Sequence, residues 1–133
     1  MHEPKEIALC AAKALDDKKA QDILVLAVGH RTVIADYMVI ASGRSVPQVK
    51  ALLEALVEQL AGQGVFPRRQ EGAAEGRWAV LDYGSVIVHV FHEQERAYYQ
   101  LERLWMDGDN TVPAPGVAEQ LPVQPAQTGG TVI

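Results

Sequence analysis

The stretch "RWAVLDYGSVIVHVFHEQER", residues 77–96, decides the fold. Apolar residues dominate 77–82 and again 86–91, and only Tyr83, Gly84 and Ser85 separate the two runs. A gap that short between two strand-length runs predicts an antiparallel hairpin. The polar HEQER segment then predicts a change from strand to helix. That last helix is expected from about residue 93 to residue 105, with Ala97, Leu101, Leu104 and Trp105 facing inward.

Working outward, the chain before this hairpin supplies a helix, two strands and another helix. Residues 4–20 read as a helix, with Pro4 in a first-turn position and Ile7, Ala11, Ala14 and Leu15 on one face. Residues 23–28, "ILVLAV", are apolar on both faces, which predicts an interior strand. A second strand is expected around residues 37–41. Ser45 and Gln48 then fit the ends of a capping box, followed by an apolar stripe of Val49, Leu52, Leu53, Leu56, Val57 and Leu60. Gly62 or Gly64 suits the helix end, and residues 65–70 suit a short edge strand. The order α-β-β-α-β-β-β-α implies an α/β fold, with α+β left open: a mixed five-stranded sheet with three packed helices.

Size and composition set the class. The chain has 133 residues, is 48% hydrophobic and 22% charged, and is long enough for one domain with a real core. Its net charge of −5 argues against a surface built to hold nucleic-acid phosphates and favours a basic partner. The single cysteine, Cys10, points to a reducing cytoplasm, and no run is long and apolar enough to span a membrane. From Met106 onward the chain carries four of the seven prolines and no hydrophobic periodicity. Residues 1–105 are therefore expected as the folded domain and 106–133 as a flexible Pro/Gly-rich tail.

Three kinds of chemistry can be weighed on residue types. His89 and His92 are three apart on a strand, so their side chains diverge, and no HExxH pattern accompanies them. His89 is expected beside Ile87 and Phe91, and His92 at the junction between strand and helix. Gly43 and Ser45 form a turn before a helix, where backbone N–H groups are able to hold phosphate. A nucleotidyltransferase would also need paired carboxylates on a neighbouring strand to hold magnesium, and the nearby strands offer only Asp82. Cys10 sits in an apolar helix as an inert thiol, and Ser42 and Ser45 lack an identifiable base. What remains is a group of large and charged residues around the hairpin: Arg77, Trp78, Asp82, Tyr83, Glu93 and Arg96. These types anchor protein interfaces, and they equally fill cores.

Four segments carry a resemblance: "ALDDKKAQDILVLAV" (14–28), "IADYMVIASG" (34–43), "EGRWAVLDYGSVIVHVFHEQER" (75–96) and "YQLERLW" (99–105). Together they closely resemble the Iojap-related ribosomal silencing factors, over roughly residues 7–105. The resemblance implies a nucleotidyltransferase-like fold without the catalytic carboxylates, and a binding protein rather than an enzyme, with no cofactor. It implies docking on the large ribosomal subunit through its universal protein number fourteen. Joining of the small subunit is then blocked and translation falls when nutrients are scarce. Homodimers in isolation and little direct nucleic-acid contact are also implied. Carried onto this chain, the expected contacts are Trp78, Leu81, Asp82, Tyr83, Gly84 and His89, with Glu71, Glu93 and Arg96 at the rim. One departure is Ser85, where many relatives carry an acid after DYG, which removes one possible contact with a basic partner. The other reading is a nucleotide-binding enzyme using the Gly43/Ser45 turn.

Overall fold

The computed structural model describes residues 2–117. Its elements run α1 (Pro4–Asp17), β1 (Gln21–Ala27), β2 (Tyr37–Gly43), α2 (Val46–Gly62), β3 (Arg69–Glu71), β4 (Trp78–Asp82), β5 (Val86–His92), α3 (Glu93–Tyr99) and α4 (Glu102–Trp105). The strands form one sheet in the order β1-β2-β5-β4-β3. Only β2 and β5 are parallel neighbours; the other three pairings are antiparallel. The fold is α/β with a mixed five-stranded sheet, as expected from the order of elements.

Both long helices start as their sequences dictate. In α1 the Glu6 carboxylate accepts the Glu3 N–H at 3.1 Å, and Pro4 stands in the first turn, where its missing N–H costs nothing. In α2 the Ser45 hydroxyl accepts the Gln48 N–H at 3.2 Å, while the Gln48 side chain accepts the Arg44 N–H. These contacts satisfy donors that have no partner within the first turn of a helix.

Strand alternation sorts the apolar residues onto two faces. Val25, Val39, Ala41, Ala79, Leu81, Val86, Val88 and Val90 lie beneath α1 and α2, meeting Ala11, Leu15, Val49, Leu52 and Leu56 in the larger core. Leu26, Met38, Ile40 and Phe91 face the other way and meet Leu101, Trp105 and Met106 in a smaller one. Gly43 is where α2 comes closest to β2: a Cβ there would stand 3.0 Å from the Val49 side chain. The glycine of the Gly43/Ser45 turn thus serves packing, and the serine serves as a cap.

Three expectations need correction. First, β1 is an edge strand of the sheet, not an interior one. It is apolar on both faces because each face carries a core, Val25 in the larger and Leu26 in the smaller. Second, residues 106–117 do not leave the domain as a free tail. Ala27 N–H donates to Asn110 O at 2.9 Å, Val112 N–H donates to Val25 O at 2.8 Å, and Val112 is buried. The Asn110 amide also donates to the carbonyls of Ala27 and Trp105. This strap occupies the backbone groups that an edge strand leaves open. Residues 118–133, the rest of the expected tail, lie outside the described residues. Third, the last helix is two. Gln100 adopts φ +48°, a left-handed conformation that ends α3, and α4 restarts as a single turn. The break changes which residues face inward: Leu101 and Trp105 pack against the smaller core, whereas Ala97 and Leu104 are exposed.

Candidate functional site

The hairpin is held by its own turn chemistry. Gly84 takes φ +88°, where a side chain would be strained, and the Asp82 carboxylate accepts the Gly84 N–H at 2.7 Å. Tyr83 N–H donates to Val86 O and closes the turn. Asp82 and Gly84 are thus first of all turn residues, though both remain partly accessible.

Alternation then divides the expected contact residues. Leu81 is 1% exposed and Tyr83 7%, and both lie in the larger core beneath the helices. Neither reaches the surface, so both leave the expected contact set. Tyr83 has no hydrogen-bond partner for its hydroxyl among the described residues, and burial pushes that hydroxyl's pKa up to about 12. Trp78, Val80 and Asp82 on β4 share the opposite face with Ile87 and His89 on β5, and cross-strand pairing sets Val80 against His89 and Asp82 against Ile87. On β3, Glu71 is the partner of Val80, which places its exposed carboxylate at the rim of the same face.

Trp78 is the centre of this face. Its ring stacks on Phe91 with centroids 4.8 Å apart and meets Tyr99 of α3 at 4.7 Å. Its indole N–H donates to His89 Nδ1 at 3.1 Å. Tyr99 in turn meets Tyr98 edge-on at 4.9 Å, and both tyrosines are exposed. Trp78 itself is half-buried. The result is an aromatic ridge from the sheet onto α3, beside half-buried Val80 and Ile87. Residue-type reasoning missed Tyr98 and Tyr99 because they belong to a helix whose exact end it misjudged. It missed Val80 and Ile87 because single valines and isoleucines look like core.

His89 is only 8% exposed, and burial lowers its pKa to about 4, so the ring is neutral near pH 7. It belongs to the Trp78 face as expected, but in its floor rather than on its surface. His92 does not join it: its Nδ1 accepts the Gln94 N–H at 3.1 Å and caps α3. Among the described residues no group of three or more His, Cys, Asp or Glu is placed to hold a metal ion, and no helix is long and apolar enough to cross a membrane.

Arg96, expected at the rim, is buried instead. Its guanidinium donates to Ser42 Oγ at 2.8 Å, to Asp22 O at 2.9 Å and to Glu102 Oε1 at 3.1 Å. It ties α3 to β1, β2 and α4, and so fixes where Tyr99 stands against Trp78. Glu93 is exposed at the start of α3. Arg77 holds the Glu95 carboxylate at 2.6 Å, and that contact lowers the pKa of Glu95.

Comparison with known proteins places this arrangement in a family. The family model described as ribosomal silencing factor during starvation matches residues 1–130, well past residue 105, where the resemblance was expected to stop. A Bacillus subtilis protein named ribosomal silencing factor RsfS is 45% identical over 103 residues, covering 77% of this chain and 87% of its own. A mitochondrial Iojap-related protein of Arabidopsis thaliana is 33% identical over 103 residues, 70% of this chain and 53% of its own. Among solved structures, a Chromobacterium violaceum protein superposes with a TM-score of 0.77 at 36% identity, covering 91% of this chain and 98% of that one. A Bacillus halodurans protein does so at 0.72 and 39% identity, covering 82% and 98%. With nearly the whole length matched in sequence, and the same fold in solved proteins above 35% identity, the chain belongs to the ribosomal silencing factor (RsfS) family.

Proposed function

We propose that this protein silences ribosomes by occlusion. It docks on the large subunit through that subunit's universal protein number fourteen and stands where the small subunit would join. The observation that carries this reading is the ridge of Trp78, Tyr99 and Tyr98 beside Val80 and Ile87, rimmed by Asp82 and Glu71. Aromatic residues left at the surface of a sheet supply the large buried area and polar handles that anchor interfaces. The net charge of −5 suits a basic protein partner and disfavours direct contact with RNA.

No bond is made or broken in this mechanism, and no cofactor enters it. A specific contact needs roughly 1,200–2,000 Å² of total buried surface, about half from each partner, and one face of a domain this size supplies that half. The site of action is the cytoplasm, where the subunits meet. Pairing of two copies through the same apolar face would compete with docking, so self-association should fall as the partner is added.

The test is direct. Purified protein is incubated with separated large subunits, occupancy is confirmed by co-sedimentation, and small subunits are added. Joining should fail at saturation, and Trp78→Ala should weaken co-sedimentation by more than about 1 kcal/mol, or roughly fivefold or more in affinity. Unimpeded joining at confirmed occupancy would sink the occlusion mechanism. Normal binding by Trp78→Ala would move the docking surface elsewhere.

A further inference from the structure

His89 is a buried polar side chain in the floor of the docking face, and its hydrogen bonding dictates what it offers. Its Nδ1 accepts the Trp78 indole N–H at 3.1 Å. An indole nitrogen only donates, so Nδ1 must be the unprotonated nitrogen of a neutral ring, and the remaining proton sits on Nε2. Burial keeps the ring neutral near pH 7, which preserves this arrangement. Among the described residues no group accepts from Nε2, and the side chain points to the face that carries Trp78.

We infer that Trp78 locks His89 as a fixed Nε2–H donor in the floor of the docking face, and that the partner sets a neutral acceptor, a main-chain carbonyl, against it. This rests on the docking reading above and adds the chemistry of the partner's central contact. The acceptor is neutral for two reasons. The surroundings of His89 are apolar: Ile40 and Val80 across the sheet, Ile87 and Phe91 along it. The ring, held neutral by accepting the Trp78 indole N–H, offers no positive charge to offset the desolvation of a partner carboxylate. A carbonyl flanked by apolar side chains meets both conditions. Trp78 then has two tasks, presenting its own ring and choosing which nitrogen of His89 keeps the proton.

The test has two measurements. In the free protein, long-range ¹H–¹⁵N correlation of the His89 ring at neutral pH should show the proton on Nε2, and Trp78→Phe should let the tautomers mix. A proton on Nδ1 in the unaltered protein overturns the proposal without any variant having to fold. The second measurement uses His89→Asn, whose Oδ1 stands near the Nδ1 position and keeps an acceptor for the Trp78 indole but offers nothing at Nε2. Its affinity for isolated large subunits should fall about tenfold, the usual scale for losing one hydrogen bond inside an interface. The Trp78 indole N–H should stay as protected from exchange as in the unaltered protein. If His89→Asn binds as tightly as the unaltered protein with the indole still protected, His89 only steadies Trp78 and the donor role fails. If the unaltered protein does not bind large subunits at all, the docking reading fails, while the ring spectrum still decides the tautomer.

Discussion

The two faces of the sheet are made by the same strands and differ in what covers them. On one, α1 and α2 seal Leu81, Tyr83, Val86, Val88 and Val90 from water. On the other, Leu101, Trp105 and Met106 reach Leu26, Met38, Ile40 and Phe91, while Trp78, Val80 and Ile87 stay half-buried. The residues of "LDYG" alternate between these worlds. Leu81 and Tyr83 are core, whereas Asp82 and its neighbour in space Ile87 belong to the half-covered face. A motif read as one contact surface is thus two half-motifs, one sealed in the core and one on the face proposed for docking.

That contrast is easiest to break at Leu81. Leu81→Ala opens a cavity in a sealed core and should cost about 3 kcal/mol of folding stability, within the usual 2–5 for such truncations. Urea melts would show it as a lower midpoint. At temperatures where the variant stays folded, its binding to large subunits should be unchanged. A binding defect in the folded variant would mean that the helix-covered face takes part in docking after all.

Acid probes the opposite face through His89. Its ring has an ordinary pKa near 6.5 when unfolded and about 4 in the native protein, because burial disfavours the charged form. Above pH 6.5 both states hold it neutral and its contribution is complete. Between 6.5 and 4 the unfolded chain takes up a proton that the native state refuses, so stability falls as pH drops. Below 4 both states are charged and the loss levels off. The gap corresponds to about 3 kcal/mol at most. Its cross-strand neighbours Ile40 and Val80, its strand neighbours Ile87 and Phe91, and Trp78 carry no charge to offset it. Urea midpoints across pH 4–7 should follow this slope, and His89→Leu should flatten it; an equal slope in the variant would assign the acid sensitivity elsewhere.

The smallest effect sharpens the comparison most finely. Tyr83 buries a hydroxyl with no partner among the described residues, so Tyr83→Phe removes a cost and keeps the ring. It should leave stability unchanged or raise it by about 1 kcal/mol, read as a higher melting temperature, with docking unaffected. Weaker docking by folded Tyr83→Phe would restore this hydroxyl as a contact.

Much of the architecture was legible in the chain. Ser45 and Gln48 announced the start of α2, Tyr83-Gly84-Ser85 announced the hairpin, and the spacing of His89 and His92 predicted that they would not converge. The site was legible only in part. Trp78 and His89, both expected as contacts, share one face and a hydrogen bond. Tyr99 beside them was not anticipated, and Arg96 was placed on a rim when it is a buried tie. An arginine near a strand end looks the same in sequence whether water or Ser42 lies beyond its guanidinium.

By itself, then, the sequence determined the identity of most strands and helices, their caps and turns, and which residues share a face. These follow from periodicity and backbone preference, which act within a few residues. Tertiary structure alone decided that β1 is an edge closed by residues 110–117, that the last helix breaks at Gln100, and which face of the sheet two helices would seal. Alternation tells that a strand has two sides, but only packing between segments far apart in the chain tells which side meets water. For this protein that choice separates the sealed core from the half-covered face that carries Trp78.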